Sequence, residues 1–194
     1  MKTIRMILIS IALVSFASCF KADTPTSKPK PTPAAERSAQ SSPTPATEKA
    51  ANFDQAVSDF NAKNFDKAEA GFKDVIAANP KNADAHLYLG RIKTERKDFQ
   101  AALPYLQEAS KLDYKSTEKL MLLGDAYFEL KRYDTAIVEY GKISGFEPNN
   151  AQATYKMGRT YVGLGNKIAA RQQLKKLEPL DKSLAEKLKK EIGD

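Results

Sequence analysis

One cysteine and one histidine narrow the chemistry open to this 194-residue chain. A lone Cys19 cannot form an intramolecular disulfide or a multi-cysteine metal cage. A lone His86 rules out multi-histidine sites, and no Ser or Cys stands out as a nucleophile for it to activate. A core or half-buried His86 is therefore expected. Gly163-Leu164-Gly165-Asn166 has the glycines of a phosphate loop, but no strand precedes it, so a turn between helices is expected. Acidic pairs are numerous but lie on solvated helix faces. No catalytic residue, metal site, cofactor or small-molecule substrate is expected, and the chain reads as a non-enzyme.

Charge narrows the partners. The formal net charge is +7, and loss of Lys2 and Arg5 with a cleaved leader would lower it to +5. The surplus is spread out: the lysines of 175–190 alternate with Glu178, Asp181 and Glu186. Without a concentrated basic stripe, no nucleic-acid role is expected.

The first 18 residues read as an address. Lys2 and Arg5 form a positive start, and Met6 to Phe16 is uncharged and mostly apolar. That stretch is too short to cross a bilayer, which needs about 20 residues. Ala17, Ser18 and then Cys19 follow. The layout is that of a secretory leader. Phe16-Ala17-Ser18-Cys19 also resembles the bacterial lipoprotein signal, with Phe16 where Leu is usual. That resemblance implies cleavage before Cys19 and lipid attachment to it, by at least two chains, enough for stable anchoring. The other processing route is ordinary cleavage after Ala17. Phe20 is not the Asp that marks inner-membrane retention in some bacteria. The expectation is a lipid-anchored envelope protein at the outer membrane, facing the periplasm.

Residues 19–48 are expected to be a disordered tether. Between 20 and 48 the chain holds six of the ten prolines and no aliphatic residue larger than Ala. Such a stretch buries too little apolar surface to offset the entropy of ordering. Its reach is roughly 30 Å coiled and about 90 Å fully extended.

From Lys49 the chain repeats with a period of 34, in blocks 49–82, 83–116, 117–150 and 151–182. Position 20 of each block is Ala68, Ala102, Ala136 and Ala170; position 8 is Ala56, Gly90, Gly124 and Gly158. Position 24 is Phe72, Leu106, Tyr140 and Leu174, and position 27 is Val75, Ala109, Ile143 and Leu177. Apolar residues recur at steps of three and four, as in Leu120, Leu123, Gly124 and Tyr127, which is helical spacing. Lys97-Asp98 and Lys131-Arg132 are expected to turn between the two helices of a block. Small residues at positions 8 and 20 would let paired helices approach closely. Leu184 and Leu188 on one face of 183–194, with lysines on the other, suggest a capping helix.

Leu89-Gly90, Leu123-Gly124-x-x-Tyr127, Met157-Gly158-x-x-Tyr161, the position-20 alanines, and Pro80 and Pro148 together resemble the tetratricopeptide-repeat (TPR) pattern. The resemblance covers residues 49–182. It departs from the pattern at the ends, with Gln55 for Leu in the first block and Lys167 and Lys182 for the aromatic and Pro in the last. It implies an all-α, right-handed α-solenoid of four helical hairpins plus a C-terminal capping helix, preceded by the leader and the tether.

In that family the first helix of each hairpin lines a concave groove through positions 2, 5, 9 and 12. Here these include Leu87, Arg91, Met121, Asp125, Phe128, Tyr155 and Arg159, with Phe53, Val57 and Phe60 in the first block. The resemblance implies a protein or peptide partner bound there; among the residues of this stripe, Arg91 and Arg159 could hold a carboxylate, with the Asp125 charge between them setting polarity. The Lys and Asn that clamp a chaperone tail in some relatives are replaced by Phe53 and Val57, so that ligand is not expected. The expected role is a scaffold in a secretion, pilus or envelope-assembly machine. The other reading is a surface-exposed or structural spacer whose groove is idle.

Overall fold

A computed structural model of the chain describes the backbone of residues 45–193 and the side chains of 52–193. The expected leader, Cys19 and most of the tether lie outside the described residues. Nine helices and no strand occur among the described residues: α1 (Pro45–Asn61), α2 (Phe65–Ala78), α3 (Ala83–Glu95), α4 (Phe99–Leu112), α5 (Thr117–Glu129), α6 (Tyr133–Phe146), α7 (Ala151–Gly163), α8 (Lys167–Leu177) and α9 (Lys182–Ile192). No helix among these residues is long and apolar enough to cross a membrane.

One boundary needs correcting. Residues 45–48, read as tether, are already helical, because α1 starts at Pro45. Proline suits the first helical position, where its missing N–H would be unpaired anyway, and Ala46, Glu48 and Lys49 are good helix formers.

Local chemistry sets the remaining ends. The side chains of Asn82, Asp98, Ser116, Asn150, Asn166 and Asp181 each accept the backbone N–H three residues on, capping α3, α4, α5, α7, α8 and α9. The turns inside the hairpins share one device. Lys63, Lys97, Lys131 and Gly165, spaced 34 apart, all have positive φ, at 61°, 59°, 58° and 78°. Only Gly165 adopts that left-handed conformation without steric cost. Gly163-Leu164-Gly165-Asn166 is thus a turn between α7 and α8, as expected from the sequence.

Each helix packs on its neighbours in sequence, giving hairpins α1–α2, α3–α4, α5–α6 and α7–α8 stacked in order. First helices also approach one another, α1 with α3 and α3 with α5, with no comparable approach between second helices. The first helices therefore line the inner, concave side.

Seams within hairpins rest on small residues. Ala68, Ala102, Ala136 and Ala170 are all 0% exposed. A Cβ on Gly90 would lie 2.4 Å from Leu106, and one on Gly124 would lie 2.5 Å from Tyr140. In the first hairpin the partners are exchanged: Ala56 faces Gly71, where an added Cβ would lie 2.8 Å from that of Ala56. At the far end α8 has 11 residues where α2, α4 and α6 have 14. Helix α9 packs on both α7 and α8, and Leu188 fills the space beside Gly158. Leu188 and Ile192 are buried while Lys187, Lys189 and Lys190 face solvent, so α9 closes the core with a polar outer surface.

Candidate functional site: the concave groove

The stripe along the inner helices is built from two matching clusters with an ion pair between them. In the first, the Arg91 guanidinium lies 5.0 Å from the Phe60 ring and 5.4 Å from the Tyr88 ring. Its Nη1 donates to Glu118 Oε1 at 3.3 Å. In the second, Arg159 lies 5.1 Å from Phe128 and 5.8 Å from Tyr155, and its Nε donates to Glu191 Oε2 at 3.1 Å. The Tyr155 hydroxyl donates to the other oxygen of Glu191 at 2.8 Å. Burial, and then Glu191, push the Tyr155 hydroxyl above its ordinary pKa.

The two clusters share one construction. Arginine at position 9 of one block stacks on phenylalanine at position 12 of the block before, and the carboxylate comes from α5 in the first cluster and from α9 in the second. The ring faces hold each guanidinium at a favourable electrostatic position.

Asp125 lies between them and is fully engaged. Lys156 Nζ contacts its two oxygens at 2.5 and 2.7 Å, and the Tyr140 hydroxyl donates to it at 2.7 Å. Burial first, then the Asp125 charge, hold Tyr140 protonated well above the ordinary tyrosine range. Beside Arg91 an open, mainly apolar hollow of about 520 Å³ is lined by Arg91, Thr117, Glu118, Met121 and Leu122.

The structure thus brings Arg91, Met121, Asp125, Phe128, Tyr155 and Arg159 to the concave face and corrects two expectations. Leu87 is 3% exposed and packs with Leu103, Leu123 and Tyr127 in the core, out of a ligand's reach. Its short apolar side chain fits the space between the second and third hairpins. Asp125 does not act as a free charge between two arginines, because Lys156 neutralises it. Phe53 and Phe60 line the aromatic cluster with Phe72 and Tyr88; Phe72 and Tyr88 stack at 4.8 Å.

Tyr88, Leu122, Lys156 and Glu191 also belong to the groove. The first three occupy position 6, three residues before position 9 and so neighbours of it on a helix surface. That spacing could have found them. Glu191 arrives from α9, which the repeat does not encode.

No group of acidic, His or Cys side chains suited to a metal ion occurs among the described residues. His86 is half-buried, with Nε2 3.0 Å from the Pro80 carbonyl oxygen, so it helps hold the turn between hairpins.

The chain matches the family described as Tetratricopeptide repeat over residues 53–109 and 95–144, and that described as TPR repeat over 124–165. It belongs to the tetratricopeptide-repeat family. No curated protein sequence matches the chain. Solved structures with the same fold include the MamA protein, 22% identical with a TM-score of 0.67, covering 75% of this chain and 82% of MamA. Another is YrrB, described as a TPR protein with an unusual peptide-binding site, 25% identical with a TM-score of 0.67, covering 75% of this chain and 76% of YrrB. A third is the first TPR of Spaghetti (RPAP3) bound to the HSP90 peptide SRMEEVD, 21% identical with a TM-score of 0.57, covering 60% of this chain and 93% of that one.

Proposed function

We propose that this chain is a non-enzymatic interaction scaffold that holds a segment of a partner protein in its concave groove. The observation that carries this is the juxtaposition of the Met121–Leu122 hollow with two stacked arginines on one continuous inner face. Extended or helical peptides bind such faces through apolar anchors flanked by polar contacts. The peptide-binding descriptions of YrrB and of the RPAP3 domain support the same use of this fold. Phe53 and Val57 stand where the chaperone-tail clamp would need Lys and Asn, so a different ligand is proposed.

The proposal extends to place. The apolar run before Cys19 and the proline-rich stretch behind it support a lipid-anchored envelope protein on a tether, serving an assembly, pilus or secretion machine. The test is recovery of the tagged protein from gently crosslinked membranes, beside a variant carrying Arg91→Glu, Phe128→Ala and Arg159→Glu. A specific companion lost from the folded variant supports groove binding. Equal recovery with both proteins, or no companion, points to a spacer with an idle groove.

A further inference from the structure

The two arginine clusters carry more information than the presence of a groove. Each guanidinium has five N–H donors, yet among the described residues Arg91 and Arg159 each use one, on Glu118 and Glu191 respectively. Both arginines remain over a third exposed, at 36% and 41% of the side chain. Glu118 is 58% exposed, more open than the arginine it pairs with, and single-point pairs of this kind at a surface are weak. A carboxylate taking two parallel N–H bonds from a guanidinium binds more strongly and with fixed geometry. The aromatic rings have already positioned each guanidinium, so little rotamer freedom remains to be lost.

The ground between the clusters is chemically different. Both oxygens of Asp125 are taken by Lys156, so that pair offers no free charge. The Met121–Leu122 hollow is apolar and open. Arg91 and Arg159 stand on inner helices two hairpins apart. First helices of successive hairpins make only marginal contact, so they lie at or just beyond the roughly 10 Å upper end of packed-helix spacing, placing the two guanidinium groups roughly 20 Å from each other. That is the length of about five or six residues of extended chain.

We infer that the groove selects an extended acidic segment, with two carboxylates five or six residues apart and an apolar residue between them, and that Glu118 and Glu191 are internal placeholders which this segment displaces. The inference rests on the groove being the partner site. It gives α9 a second role: besides closing the core, its Glu191 competes with the ligand for Arg159, so ligand affinity is set partly by the chain itself.

The test uses the full chain and a labelled, end-blocked peptide, Ser-Glu-Ser-Ser-Leu-Ser-Ser-Glu-Ser, followed by fluorescence anisotropy. Two control peptides carry Gln or Lys in place of both Glu. Saturable binding is expected, weakened about tenfold in the Gln peptide and abolished in the Lys peptide. Arg91→Gln or Arg159→Gln should weaken the acidic peptide to a similar degree. The Glu118→Gln, Glu191→Gln double variant should bind it roughly two- to five-fold more tightly, because the internal competitors are gone. A purely structural role for these glutamates predicts no tightening.

Equal binding of the three peptides, no binding, or no tightening in the double variant overturns the inference. Should an arginine variant lose its helical circular dichroism, the peptide controls on the unaltered chain decide the matter. If the acidic peptide fails while a membrane companion is still lost from the groove variant, the groove remains the partner site and only the acidic ligand falls.

Discussion

At the seam of each hairpin a small residue meets a larger one, or two small ones meet. Gly90 lies against Leu106, Gly124 against Tyr140 and Ala56 against Gly71, while Gly158 meets Gln173 of its own hairpin and Leu188 of α9. In the groove, position 9 runs Val57, Arg91, Asp125 and Arg159, and position 12 runs Phe60, Thr94, Phe128 and Val162. Seam positions keep one residue class because side chains of the packed helix, such as Leu106 and Tyr140, leave no room for another. Groove positions face the inner surface and vary, with the arginine–aromatic cluster returning every second hairpin. The contrast separates what holds the stack together from what the stack presents.

The sharpest way to probe that contrast is to open a cavity in a seam. Leu106→Ala removes a side chain that is 0% exposed and packed over Gly90. A loss of about 2–5 kcal/mol in urea unfolding is expected, because the gap beside Gly90 closes only partly. The groove substitutions Arg91→Gln and Arg159→Gln should leave stability nearly unchanged by the same measurement.

Seams between hairpins depend on charge as well. Glu69 on α2 contacts Lys93 on α3 at 2.8 Å, its other oxygen accepts from Arg96 at 2.8 Å, and Lys73 closes the cluster at 2.8 Å. The hydrogen bond from Lys73, then that from Lys93, lower the Glu69 pKa from 4.5 to about 2. A depressed carboxyl contributes stability above its unfolded pKa and loses that contribution as pH falls toward its folded one. Glu69→Gln should therefore cost about 1–2 kcal/mol at pH 7. The difference from the unaltered protein should shrink between pH 4.5 and about 2, as read from denaturant melts across that range. A difference independent of pH would remove Glu69 from the account.

The smallest effect lies in the turns. Lys97 sits at φ 59° where the fourth hairpin has Gly165 at φ 78°. Lys97→Gly should raise stability by about 0.5–1 kcal/mol by relieving that strain, seen as a higher melting temperature. A lower one would mean that the lysine side chain contributes contacts outweighing the strain.

These elements differ in how openly they were written in the sequence. The helices and the hairpin turns were legible because Ala at position 20 and the small residues at position 8 recur under a steric rule that every repeat obeys. Six caps and the turn at Gly165 follow from residue chemistry within a few positions. The groove was legible only in outline. Leu87 shares its register with Met121 and Tyr155, yet it is buried, because exposure at position 5 depends on the bulk of side chains from two other helices. The pairing of Asp125 with Lys156 spans 31 residues, and that of Arg159 with Glu191 spans 32. Local spacing carries no trace of either. The early start of α1 was missed because the prolines of 20–48 dominate a composition-based boundary, although Pro45 itself opens the helix.

The most direct test of the account places a photocrosslinking residue at Met121, in the groove hollow, and separately at Val138, an exposed position on the second helix α6 (57% accessible). Irradiation of membranes should yield a defined crosslinked partner from position 121 and none from position 138. A partner captured from 138 and not from 121 would contradict the groove as the working surface and move it to the outer face of the stack.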